Sequence, residues 1–101
     1  MHILLTNDDG VRAQGLQILK RELAACGHRL TIAAPNGQRS AASHSMSINK
    51  PLYCREIAQD DTQIREIAIS GTPVDCVKMA MEYFLRGDRP QLLISGINNG
   101  Y

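Results

Sequence analysis

Two carboxylates stand side by side in this chain, Asp8 and Asp9, directly after the apolar run Ile3-Leu4-Leu5 and directly before Gly10. Adjacent carboxylates repel, and a bound cation, a cage of hydrogen-bond donors or protonation of one of them relieves the repulsion. An oxygen-rich pair of this kind suits a hard divalent ion. The competing reading is a plain turn, because Asn, Asp and Gly in Asn7-Asp8-Asp9-Gly10 all favour turn conformations. The segment alone leaves both readings open.

The elements that must hold this pair can be read from the pattern around it. Residues 3–6 form a short continuous apolar run of the kind buried on both faces in a parallel sheet. Leu16, Leu19 and Leu23 then recur at helical spacing, with Lys20, Arg21 and Glu22 on the other side and Gly27 where a C-terminal cap belongs. Residues 30–34 supply a second buried strand, stopped by Pro35, and a strand, helix, strand unit implies parallel neighbours joined by a right-handed crossover. Residues 36–47 form a long polar loop rich in Ser, Gly and Ala, and loops of that length are usually functional or mobile. Residues 48–57 and 63–69, β-branched and aromatic around Gln59-Asp60-Asp61-Thr62, predict a hairpin-like excursion.

Thr72-Pro73-Val74-Asp75 predicts a helix start, with Thr72 as N-cap, Pro73 in the first position and Asp75 as the acidic partner three residues after the cap. The helix should carry Val74, Val77, Met81, Phe84 and Leu85 on one core-facing side and close at Gly87, before another buried strand at residues 91–94. Three parallel strands then deliver three polar loops, at residues 6–10, 35–47 and 95–100, to one edge of an open α/β sheet. Ligands of such sheets bind at that edge, where the strand order reverses. Asp8 and Asp9 would bring charge there. Hydroxyl and amide oxygens from the other two loops would complete a shell suited to magnesium or manganese rather than zinc. Gly10, Gly96 and Gly100 would let backbone approach an anion such as phosphate.

Composition narrows the class. The 101 residues fit one small domain, 1–101, and 44% hydrophobic with 21% charged residues is ordinary for a globular chain. Eleven basic against ten acidic side chains give a net charge of +1, no field to gather nucleic acid polymers or a membrane surface. Cys26, Cys54 and Cys76 are odd in number and widely spaced, so neither a disulfide framework nor a zinc site is indicated, and a reducing cytoplasm is the natural setting. The N-terminus lacks a basic region followed by an apolar stretch of signal-peptide length, and no apolar run reaches the ~18 residues of a membrane span. No Gly-x-Gly-x-x-Gly or Walker fingerprint is present.

Four ordered blocks carry a more specific message: Ile3-Leu4-Leu5-Thr6-Asn7-Asp8-Asp9-Gly10, the loop from Ala34-Pro35 to Arg39-Ser40, Gly71-Thr72-Pro73-Val74-Asp75-Cys76-Val77, and Ser95-Gly96-Ile97-Asn98-Asn99-Gly100. In these the chain resembles, in register over its whole length, the N-terminal part of the SurE survival-protein family, metal-dependent 5'/3'-nucleotidases that hydrolyse nucleoside monophosphates. The resemblance implies a three-layer, Rossmann-like α/β fold with a mainly parallel sheet and a β-hairpin excursion, here incomplete. It also implies one divalent ion, magnesium or manganese with calcium as a third candidate, held by Asp8, Asp9, the Ser40 hydroxyl and the Asn98 amide oxygen. Asp8 and Asp9 are the catalytic candidates. Asn98, Asn99 and Gly100, with Arg39 and His44, are the candidates for phosphate and substrate.

The implied reaction is attack of water on a phosphomonoester, giving nucleoside and phosphate. An aspartyl-phosphate route fits less well, because adjacent Asp-Asp differs from the Asp-x-Asp of the haloacid dehalogenase-like phosphatases. His2 and His28 flank strands and read as structural, Thr72 and Asp75 are explained by capping, and Cys76 reads as a small buried apolar group. The chain departs from the family pattern at Ala41, where many relatives carry glycine. It departs also in length, since family members continue through a further phosphate-binding loop and a segment that builds a homodimer or homotetramer. The alternative reading is therefore a nonhydrolytic metal- or nucleotide-binding fragment.

Overall fold

The computed structural model describes residues 1–37 and 52–97. Its elements are β1 (His2–Thr6), α1 (Gln14–Ala25), β2 (Arg29–Pro35), β3 (Cys54–Ile57), β4 (Ile64–Ile69), α2 (Pro73–Met79) running on into a π-helical turn (Ala80–Phe84), and β5 (Leu92–Ser95). The strands form one sheet in the order β3-β4-β2-β1-β5. All neighbours are parallel except the β3·β4 pair, which is antiparallel.

The apolar run at the start of the chain becomes the centre of the molecule. All five residues of β1 are buried, and because side chains alternate along a strand, they divide between two cores. Ile3 and Leu5 pack on one face with Val11, Leu16, Leu30, Ile32, Ala34 and Ala68, while Leu4 packs on the other with Ala33, Ile67, Ile69, Cys76, Ala80 and Leu85. The first core lies under α1 and the second under α2, giving three layers.

Local signals explain where the helices begin and end. At the C-terminus of α1 the Gly27 amide donates to Ala24 O at 2.9 Å and the His28 amide to Leu23 O at 3.3 Å. With Gly27 at φ +88°, this is the paired closure of a Schellman cap. At the start of α2 the Asp75 amide donates to Thr72 Oγ1 at 3.2 Å and the Thr72 amide to Asp75 Oδ2 at 3.0 Å, the capping box expected.

The expected hairpin forms as the antiparallel pair β3·β4, and β4 also joins the main sheet, parallel to β2 over six residue pairs; the buried run Glu66-Ile67-Ala68-Ile69 suits that interior place. Two other expectations are corrected. Val74 does not face the core. It is 67% exposed, and the buried positions of the helix are Cys76 and Ala80, because the π-helical turn, closed by the Leu85 amide on Ala80 O at 2.8 Å, shifts the inner stripe. The last strand is not a buried one: Leu92 and Leu93 are 45% and 48% exposed, since among the described residues β5 has a neighbour only on the side of β1.

Among the described residues no helix is long and apolar enough to cross a membrane. The three cysteines are free, Cys26 and Cys54 exposed and Cys76 buried. Burial, with the Asp75 carboxylate beside it, pushes the Cys76 thiol up to about 12, so it acts as a small core group rather than a nucleophile.

His2 is structural, as expected. It is buried, and its Nε2 lies 2.8 Å from Thr31 Oγ1. Burial first, then the Arg29 charge, hold its pKa below the ordinary 6.5, against the pull of Asp88. Asp88 in turn accepts from both Nη1 and Nη2 of Arg29, at 2.8 and 2.7 Å. As pH falls below 6.5 the unfolded chain takes up a proton that the folded one excludes, so this contribution is full above 6.5 and declines toward the lowered folded value. Urea midpoints measured from pH 7.5 downward should therefore fall more steeply for the wild type than for His2→Gln; superimposable curves would contradict this role.

Candidate functional site

The chain runs from β1 outward to β2 and β4, then returns through α2 to β5 on the other side of β1. The strand order thus reverses between β1 and β5, the position where open α/β sheets bind ligands. The Asp8-Asp9 pair leaves the carboxyl end of β1 at that crevice, with Ser95 and Gly96 ending β5 alongside: Thr6 pairs with Ser95, and the Gly96 amide donates to Thr6 O at 2.9 Å.

A buried asparagine fixes the acidic turn. Asn7 has no exposed surface, and its side-chain amide grips Gly10 from both sides. Nδ2 donates to Gly10 O at 3.0 Å and Oδ1 accepts from the Gly10 amide at 3.1 Å. Gly10 O also accepts from the Ala13 amide at 3.1 Å. Asp8 and Asp9 lie between the ends of this clamp, Asp8 exposed and Asp9 half-buried. Turn and metal site are therefore not alternatives here, because the turn is what would present the two carboxylates. One residue earlier, Thr6 Oγ1 is buried without a hydrogen-bond partner among the described residues.

Two close approaches bring the neighbouring loops against this turn. Gly10 has φ +113°, a region side chains rarely adopt, and a Cβ there would come within 3.2 Å of Gly37 Cα and 3.4 Å of Pro35 O. The Val11 amide donates to Pro35 O at 2.8 Å, which ties the exit of β1 to that of β2. On the other side, a Cβ on Gly15 would stand 3.0 Å from Ile97 O, so the first turn of α1 abuts the chain leaving β5. The loops after β1, β2 and β5 therefore start together.

Of the expected site residues, Asp8 and Asp9 are placed at this edge. Arg39, Ser40, His44, Asn98, Asn99 and Gly100 lie outside the described residues. Among the described residues no group of three or more His, Cys, Asp or Glu side chains comes together as a metal site. The donors at hand are thus two carboxylates on a clamped turn, with the buried Thr6 hydroxyl, which has no partner among the described residues, two residues before the first. This all-oxygen set fits a hard divalent ion and not a soft one. Sequence reasoning missed the clamp itself. Its signal was present as an Asn three residues before a Gly, a spacing at which the amide can close a ring on the backbone.

This arrangement defines a class: a three-layer α/β domain with an acidic turn at its switch point. Comparison with known proteins makes it particular. The family model described as Survival protein SurE matches residues 3–101, and the chain belongs to the SurE family. It is 50% identical over 99 residues to the 5'-nucleotidase SurE of Clostridium tetani, covering 97% of this chain and 39% of that protein. It is 46% identical over 101 residues to that of Lawsonia intracellularis, covering 100% and 39%. The crystal structure of the SurE protein from Aquifex aeolicus superposes with a TM-score of 0.76 at 34% identity, over 100% of this chain and 39% of that one. The chain thus spans about two-fifths of the length of these relatives.

If Asn7 is the clamp, Asn7→Ala leaves the buried polar groups of Gly10 short of partners and costs about 2 kcal/mol or more. Urea unfolding measures this directly. A loss under about 0.5 kcal/mol, the range of an ordinary surface substitution, would show that the turn holds without it.

Proposed function

We propose that the chain carries the metal- and phosphate-handling part of a metal-dependent nucleotidase that hydrolyses nucleoside 5'-monophosphates, and 3'-monophosphates as well. The observation that carries this reading is the clamped Asp8-Asp9 turn at the switch point of a SurE-family sheet. The names of the relatives, 5'-nucleotidase SurE, support the reaction class.

In this reading Asp8, Asp9, Ser40 and Asn98 would hold one divalent ion, magnesium or manganese. That ion supplies polarisation of the phosphoryl oxygens and a lowered pKa for water. The chain's own contribution is to place charge and donors in advance, which is where most of the barrier lowering in phosphoryl transfer originates. Asn98, Asn99 and Gly100 would orient the phosphate, and Arg39 would offset its charge. Water adds to phosphorus and yields a proton to Asp8 or Asp9, the ester oxygen leaves with the bonding pair, and His44 is the candidate to give that oxygen its proton. Free cysteines, two of them exposed, are consistent with a cytoplasmic setting.

A second reading for these 101 residues is binding of metal and nucleotide without hydrolysis. Phosphate release from a panel of nucleoside monophosphates, with and without magnesium or manganese, separates the two. The nucleotidase reading expects metal-dependent release that falls at least 100-fold in Asp8→Asn, since removing one such electrostatic partner typically costs that much. A folded chain that releases no phosphate under any of these conditions would overturn it in favour of binding alone.

A further inference from the structure

On the α1 side of the sheet, two strands away from β1, a cleft of about 380 Å³ opens between the helix and the edge strand β3. Its volume is within the range of small-molecule sites. It is lined by Val11, Arg12, Gln17, Lys20, Arg55, Ile57, Gln59 and Glu66. Three cationic side chains therefore face one carboxylate, in a chain whose net charge is only +1.

That carboxylate is fully engaged. Glu66 is 3% exposed, and its Oε1 accepts from Lys20 Nζ at 3.0 Å and Gln59 Nε2 at 2.8 Å, while Oε2 accepts from Gln17 Nε2 at 2.9 Å. A second bond from Gln17 Nε2 to Val11 O, at 2.8 Å, anchors the same network to the segment after the acidic turn. Lys20 thus neutralises the buried charge, and the network forms a fixed polar floor. Arg12 and Arg55 remain on the rim. Both are exposed, and neither has a hydrogen bond or ion pair with any described residue. The half-buried Arg65 and Arg29 are paired, with Glu56 at 2.7 Å and Asp88 at 2.7 Å, whereas among the described residues the exposed Arg21, Arg86 and Arg89 have no such partner; what sets Arg12 and Arg55 apart is that both line one cleft.

Two guanidinium groups without a partner among the described residues, over a cleft whose one described carboxylate is already satisfied, form a site for a small multivalent oxyanion, because planar guanidinium forks match phosphate oxygens bidentately. We propose that this cleft binds the phosphate groups of a small molecule, at a site separate from the Asp8-Asp9 turn, with Arg12 and Arg55 as the recognising residues and Glu66-Lys20-Gln17-Gln59 as the support. Placement agrees with this: Arg55 lies opposite Ala68 and Arg12 follows Asp9 by three residues, so the cleft opens toward the same edge as the acidic turn but across β4 and β2 from the β1·β5 crevice. The inference does not rest on the nucleotidase reading, since it needs neither a metal ion nor hydrolysis.

The test uses inorganic pyrophosphate in metal-free buffer, with affinity read by calorimetry and location by amide chemical shifts. Saturable binding is expected, with shifts centred on residues 12, 17, 20, 55 and 59. Affinity should fall at least tenfold in Arg12→Gln/Arg55→Gln, by a smaller factor in each single variant, and stay unchanged in Asp8→Asn. Both arginines are exposed, so circular dichroism should report the wild-type fold for these variants. Absence of saturable binding would overturn the proposal, as would binding that survives the double substitution or disappears with Asp8→Asn.

Discussion

A strand buried on both faces along its whole length constrains everything around it. Such a strand needs cover above and below and a hydrogen-bonded neighbour on each edge, or its backbone groups and side chains are left in poor surroundings. β1 obtains the neighbours from β2 and β5 and the cover from α1 and α2. Because the chain lays β2 on one side of β1 and later returns to lay β5 on the other, the exit of β1 is also where the strand order reverses. The place most firmly fixed by packing is therefore the place where a polar loop must emerge, and the acidic pair sits on that loop. Asn7, itself fully buried, carries the rigidity of the strand one step further into the turn.

Two of the buried polar side chains, Glu66 and His2, find hydrogen-bond partners in distant parts of the chain. Glu66 meets donors from α1 and from the segment between β3 and β4, and its pairing with Lys20 spans 46 residues. His2 meets Thr31 across the β1·β2 pair. A buried ion pair of this sort adds little net stability over an apolar substitute, yet losing one partner is costly. The Glu66 network is thus better understood as fixing how α1, β3 and β4 sit together, and with them the walls of the cleft, than as a source of stability.

Much of this organisation was legible in the sequence where a local rule governs it. The caps at Thr72 and Gly27, the run Ile3-Leu4-Leu5 and the amphipathic spacing of Leu16, Leu19 and Leu23 each have a short-range physical cause, and each formed as expected. What escaped was set by tertiary context. Glu66 gave no hint that β4 belongs in the sheet interior, because a lone Glu in an apolar strand becomes tolerable only once Lys20, Gln17 and Gln59 have converged on it. The exposure of Val74 depends on a π-helical turn that periodicity at 3.6 residues cannot anticipate. Asp8 and Asp9 were recognisable because two adjacent carboxylates are chemically conspicuous, whereas the role of Asn7 emerges only from its bonds to Gly10.

The central claim is that the clamped turn presents Asp8 and Asp9 as a site for one hard divalent ion. Titration of the folded chain with manganese, followed by the loss of the free-ion paramagnetic resonance signal, tests it directly. The account predicts one saturable site that magnesium competes for and that disappears in both Asp8→Asn and Asp9→Asn. Manganese binding of equal strength in the wild type and the two variants, or none in any of them, would contradict it.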